Sequence, residues 1–273
     1  MKIYKRKIAI GRFTNETRYG KALLTSEQTD PLGRQTSDML SARLVESGRF
    51  IVLERPDLNL AISEQQLAGI KGNIVGTDTL IVGSLTEFGR AIEAQSGFLS
   101  NTKKQVARAK VELRLVEVKT GRVFFSASGS GSASTEEGTV LGFGSEAGYD
   151  ATLNDRAIGA AISDVLNEIM SKLEARPWRS DILKTEGSRI FISGGERQGI
   201  KPGDRILVMQ TGEAVRSGQS GFDIDLPPSK IAEIVVDANF GQDETNEGSI
   251  CHVVSGAVPA TNQQRLFVVE GPK

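Results

Sequence analysis

Residues 124–150 read FFSASGSGSASTEEGTVLGFGSEAGYD, and a run of Gly, Ser and Ala usually marks a flexible linker. The order here is not that of a linker. Ser126, Ser128, Ser130, Ser132 and Ser134 take every second place, and Ala127, Gly129, Gly131 and Ala133 fill the places between. A two-residue alternation gives the two faces of a strand different chemistry. The stretch is therefore expected to be a strand that forms the wall of something.

The residues before it support that expectation. Ala107, Ala109, Val111, Leu113 and Leu115 alternate with Arg108, Lys110, Glu112 and Arg114, the pattern of a strand with one buried and one wet face. Thr120-Gly121 then turns the chain into the strand that becomes the serine stretch. Further upstream, KIAIGRF (7–13), RFIVLER (49–55) and TDTLIVGSLTEFG (77–89) read as strands, and Gly83 suggests close packing against a neighbour. Leu32, Thr36, Met39, Leu40 and Leu44 fall at helical spacing, with Gly48 placed to stop the helix. A second helix is expected from Pro56, at its first turn, to Gly69. After Asp150, Ile158, Ile162, Val165, Ile169 and Leu173 make a helical stripe that Asn154 or Asp155 would cap, and Pro177 ends it.

From about Asp181 the texture changes to short β-runs between Gly/Pro turns, such as GIKPGDRILVMQ, SKIAEIVVDA and GSICHVVSG. Pro202-Gly203 suits the middle of a type II turn. Strands at this spacing predict a small barrel or sandwich. The expected fold class is α+β: an α/β domain with inserted β-hairpins over residues 1–180, then a small all-β, barrel-like domain over 181–273, with the boundary near Arg179–Lys184.

Composition excludes several functions. The net charge of −1 gives no general attraction to nucleic acid or anionic lipid, so no nucleic-acid partner is expected. One cysteine, Cys251, forbids an intrachain disulfide. No segment approaches the ~20 apolar residues of a membrane-spanning helix, and the apolar run behind MKIYKRK is too short for a signal-peptide core.

Chemistry-bearing motifs are scarce. Cys251 and His252 are strand neighbours that face opposite ways, which defeats a catalytic pair, and one of each cannot hold zinc. GGERQGIKPGD (194–204) lacks the spacing of a phosphate-binding loop and reads as a turn. The acidic groups Glu136–Glu137, Asp223 with Asp225, and Asp243–Glu244 read as solvated turns, and DIDLPP (223–228) lacks the ligand density of a calcium loop. No catalytic residue, metal site or cofactor is expected, and the protein is read as no enzyme.

The landmarks KIAIGRFTNET, FIVLER, GTDTLIVGSLTEFG, VEVKTGRVFF and GSEAGYDATLNDRAIGAAISDVLNEI, in this order over about residues 7–175, resemble the CsgG family of outer-membrane curli-secretion lipoproteins. The resemblance implies a periplasmic α/β domain like the N-terminal part of TolB, assembled as a homo-oligomeric ring. It also implies two hairpins per subunit, here about residues 87–111 and 125–149, which in channel members join into a transmembrane β-barrel. Alternate residues of the serine stretch would then face water and lipid or a neighbour.

The pore or inter-subunit residues implied are Phe88, Ile92, Phe98, Ala107, Ala109, Val111, Ser126, Ser128, Ser130, Val140, Leu141, Phe143 and Tyr149, with Val140, Leu141 and Phe143 on a return arm. Arg90, Glu93, Lys103, Lys104, Arg108 and Lys110 depart from a lipid-facing pattern, since a charge toward lipid costs roughly 2–4 kcal/mol near the midplane. The family's lipid-bearing cysteine and export signal are not in this chain. The C-terminal IFISGGERQGIKPGDRILVM is similar to the small β-barrel that ends flagellar assembly proteins such as FlgT.

The expected function is thus envelope assembly or export at the periplasm and outer membrane, as a ring or secretion pore for curli-like fibres. The partners would be other envelope or secreted proteins. The alternative is a soluble periplasmic scaffold of a flagellar or cell-wall machine that never inserts.

Overall fold

The computed structural model describes residues 4–17, 30–68, 76–96, 100–140, 152–219, 221–259 and 263–271. The chain divides into two compact units, residues 7–173 and residues 1–6 with 174–273. The fold is α+β, as expected, and the second unit contains a closed barrel.

The first unit is built on a five-stranded sheet in the order β2-β1-β3-β4-β5. Its strands are β1 (Arg6–Asn15), β2 (Phe50–Leu53), β3 (Thr79–Ser96), β4 (Ser100–Glu117) and β5 (Val123–Val140). β1 and β3 run parallel, while β3-β4 and β4-β5 are antiparallel. The serine stretch is strand over its whole described length and pairs with β4 from Val123 to Val140. This corrects two expectations. Val140 lies at the end of the outgoing strand, opposite Ser100, instead of on a return arm. Glu136 and Glu137 form no turn; the register sets them opposite Lys104 and Lys103, which favours continued pairing.

Three helices belong to this unit. Helix α1 (Pro31–Glu46) starts at Asp30, whose carboxylate accepts from Gly33 N at 2.9 Å and from Asn15 N at 2.5 Å, so one side chain caps the helix and fastens it to the end of β1. It ends where Gly48 takes φ 65°. Helix α2 (Leu58–Leu67) begins after Asp57, so Pro56 precedes the helix instead of opening it, and none of its residues is buried. Helix α3 (Leu153–Glu174) starts early enough that Asn154 and Asp155 sit inside its first turn and cannot be its cap; Asp155 instead accepts from Gln35 of α1 at 2.6 Å.

The core of this unit joins Ile8 and Ile10, Leu40 and Leu44, Ile81 and Leu85, the inward row of β4 from Ala107 to Leu115, and the stripe of α3. Gly83 meets Phe13 and Leu113, the close packing its position suggested.

The contact between α3 and β5 decides how the serine stretch is used. A Cβ on Gly129 or Gly131 would come closer than 3.0 Å to the helix backbone at Ala161, and on Gly131 also at Ala157. Ala133 is buried in the same row. The small face is therefore filled by this chain's own helix, where lipid or a neighbour was expected. Alternation was read correctly, but only a helix that touches strand backbone explains why the residues are so small.

In the second unit a closed barrel runs β11-β12-β7-β6-β13-β8, with β6 (Arg179–Glu186), β7 (Arg189–Ser193), β8 (Arg205–Gln210), β11 (Ser229–Gly241), β12 (Glu247–Gly256) and β13 (Leu266–Glu270). A two-stranded ribbon, β9 (Ala214–Arg216) and β10 (Asp223–Asp225), branches between β8 and β11. Asp223 and Asp225 are thus strand residues, not turn residues. Ile190, Ile192, Ile206, Val208, Ala232, Ile234, Val236 and Cys251 fill the interior. The N-terminal Tyr4 joins them: its ring lies 5.0 Å from Trp178, and its hydroxyl donates to Asp204 at 3.1 Å. Asp204 also closes the Pro202-Gly203 turn, where Gly203 has φ 89°.

Replacing Gly131 by Ala forces α3 off the sheet and is expected to cost about 1–3 kcal/mol, the range for overpacked cores. Ser132→Ala, on the exposed face, stays within about 0.5 kcal/mol. Urea unfolding of both variants measures the contrast, and equal stabilities would contradict this packing.

Candidate interaction surface

The face of β3-β4-β5 opposite α3 is open over β4 and β5. Ser126, Ser128, Ser130 and Ser132 are exposed. In register beside them run Arg114, Glu112, Lys110 and Arg108 of β4, and then Val82, Ser84, Glu87 and Gly89 of β3. Lys110 pairs with Glu87 at 3.4 Å and Arg108 with Glu93 at 3.5 Å. These pairs are exposed and each worth little. The result is a wet face of hydroxyls and alternating charge.

Among the described residues β5 is the edge of the sheet. The row from Val123 to Thr135 carries no charge and no proline, the two usual protections of an edge. One protection comes from outside the strand. Ser130 N donates to the Asp164 carboxylate of α3 at 3.0 Å. That N–H therefore points away from β4, and by strand alternation so do those of Ser128 and Ser132. Asp164 occupies one place on the open edge, and it reaches there because the glycines bring α3 so near.

The expected site residues separate into groups. Ala107, Ala109 and Val111 belong to the core, and Phe88 packs against it. Ile92 is exposed, as are Ser126, Ser128 and Ser130. Val140 is placed by its backbone at the end of β5, while Phe98, Leu141, Phe143 and Tyr149 lie outside the described residues. Sequence reasoning missed Asp164 and Gly129/Gly131 as a working set, although the regular Gly spacing opposite the helix stripe held the signal.

Elsewhere the chemistry is quiet. Cys251 is buried in the barrel, and burial, then the nearby Asp237 charge, pushes its thiol up to about 12. His252 points outward, as its alternation with Cys251 requires, and its Nδ1 lies 2.6 Å from Asp237 Oδ1. Asp243 keeps a lowered carboxyl pKa through hydrogen bonds from Thr245 and Asn246, the solvated turn expected there. No group of three metal-ligating side chains occurs among the described residues. A groove beside α1 is lined by Asp30, Arg34, Gln35, Asp38 and Met39, with Asp30 and Gln35 held by the structural bonds described above.

Fold and surface together define an α+β protein that offers sheet edge and sheet face to other chains. The chain belongs to the CsgG family: the model of the curli production assembly/transport component CsgG matches residues 3–203. It is 34% identical over 175 residues to a Neisseria meningitidis serogroup B protein named "Putative lipoprotein NMB1126/NMB1164", covering 63% of this chain and 78% of that protein. Among solved structures it is similar to the PelC dodecamer of Paraburkholderia phytofirmans, at 16% identity over 60% of this chain and 89% of that one, with a TM-score of 0.32. Lipoprotein GNA1162 of Neisseria meningitidis is 18% identical over 61% of this chain and 99% of that one, with a TM-score of 0.30. At such scores neither likeness carries an argument about this chain.

Two measurements check the local chemistry. Because a raised thiol pKa keeps Cys251 protonated, native protein at pH 8 is expected to resist Ellman's reagent and to react fully once unfolded. Asp164→Ala removes a charge-assisted acceptor at an exposed position, so a loss of about 1 kcal/mol is expected in urea, together with more self-association by light scattering.

Proposed function

We propose that the chain is a non-enzymatic assembly or transport component of the cell envelope, working as a ring of identical copies. The observation that carries this reading is β5: an 18-residue strand at the sheet edge, with an uncharged row of serines and small residues beside exposed backbone groups. Backbone polar groups seek partners, and a strand of a neighbouring copy supplies them without new side-chain chemistry. Asp164 already holds Ser130 N, so the pairing runs over the distal part of β5, from Ser132 to Val140. Membership of the CsgG family supports the same reading, and with it a place on the periplasmic side of the outer membrane and a conduit role in exporting protein fibres.

A second reading has its own support. The small face of β5 is filled by α3, and Arg90, Glu93 and Lys104 lie on the distal strands, so the described residues show no apolar band for lipid. On this reading the ring is a periplasmic scaffold for a flagellar or wall-building machine.

Mass photometry with and without detergent decides the ring. The wild type is expected at a fixed multiple of 29.3 kDa, and Ser132→Pro, which removes an edge N–H and leaves the β4 ladder intact, is expected to give monomer with an unchanged melting temperature. A monomeric wild type sinks the proposal. Conductance in planar bilayers then separates pore from scaffold.

A further inference from the structure

The ribbon β9-β10 lies past residue 203, beyond the family's model. It leaves the barrel wall between β8 and β11, with Val215 opposite Ile224 and Arg216 opposite Asp223. Strand alternation puts Phe222, Ile224, Leu226 and Val215 on one face and Asp223, Asp225 and Arg216 on the other. The apolar face is open: Phe222 is 75% exposed, Ile224 55%, Leu226 46% and Val215 45%. These four are nearly a third of the 13 exposed large apolar side chains among the described residues, gathered within twelve positions. Such a concentration marks a contact surface more strongly than scattered exposed residues do.

The stem is held firmly. Thr211 N donates to Arg265 O at 2.8 Å, and the Arg265 guanidinium donates back to Thr211 O at 3.3 Å and Gly212 O at 3.2 Å. Gly212 lies so close beneath Leu226 that no Cβ fits, and Pro227-Pro228 stiffen the other root. Within the ribbon, Ser217 N bonds Phe222 O at 2.8 Å and Leu226 N bonds Glu213 O at 2.9 Å. A two-stranded ribbon is marginal by itself. One that is held at both roots with its apolar side outward is preorganised for binding, which lowers the ordering cost of association.

Charge selects the occupant. Glu213, Asp223 and Asp225 stand against Arg216, three carboxylates to one guanidinium, a local balance of −2. That sign disfavours an anionic lipid surface. A second copy also fits poorly: the exposed apolar pair of α2, Leu60 and Leu67, shares its helix with Glu64 and no Lys or Arg, and the basic β4 face is floored by serine. We propose that the ribbon is the docking element for a different protein, one whose binding groove has an apolar floor and a rim of Lys or Arg.

The test places a photo-crosslinking amino acid at Ile224 of the full chain, in cells that naturally express it, and identifies the conjugate by mass spectrometry. The captured protein is then purified and titrated against the wild type, Phe222→Ser/Ile224→Ser and Asp223→Asn/Asp225→Asn. A hetero-conjugate whose affinity falls at least tenfold with the serine pair, and loses its salt dependence with the asparagine pair, supports the proposal. Unchanged melting temperatures show that the variants still fold. Four results overturn it: no conjugate, a conjugate with a second copy, affinity indifferent to both variants, or Phe222-dependent flotation with phosphatidylglycerol vesicles.

Discussion

Two glycines set the depth at which α3 lies on the sheet, and much of the first unit follows from that depth. With Gly129 and Gly131 under Ala157 and Ala161, helix backbone meets strand backbone with no side chain between. The long apolar side chains of α3 then reach past β5 to the inward row of β4, so one helix buries both strands. The same closeness brings the Asp164 carboxylate to the strand edge, where it takes the Ser130 N–H. A packing constraint thereby becomes a constraint on association, because the edge is guarded where the helix lies and open beyond it.

The two units handle strand edges in different ways. The sheet of the first leaves β5 at its margin and guards it with a single carboxylate, whereas the second closes six strands on themselves and leaves no edge in its wall. Closure makes the barrel a firm base, and Tyr4 with Trp178 fills out its core from the far end of the sequence. Only from such a base can a narrow ribbon be held outward by two roots and one arginine. In both units the groups offered to other chains are backbone edges, small side chains and apolar stripes, the vocabulary of assembly more than of bond-making chemistry.

This distribution accords with membership of the CsgG family, whose model reaches residue 203 and so takes in the first strands of the barrel. It also separates two evolutionary loads on one chain. The sheet and α3 carry the family's shared architecture, while the ribbon belongs to the part beyond it.

The sequence by itself determined the elements whose signal is local. The alternation from Ala107 to Leu115 and from Ser126 to Ser134, the stripe of α3, the turn at Pro202-Gly203 and the opposed faces of Cys251 and His252 all stand as read, because period and turn chemistry act between near neighbours. Boundaries set by distant partners were less legible: Val140 and Glu136–Glu137 continue a strand because β4 lies opposite, and Asp155 faces Gln35 instead of capping its own helix. What covers each face was the tertiary structure's decision. Small residues in alternation suit lipid, a neighbour or a helix equally well, and only the arrival of α3 from beyond residue 150 selects among them. Likewise FDIDLPP reads as a polar turn until its pairing with β9 turns three apolar residues to one side, since strand pairing is a property of two segments and never of one.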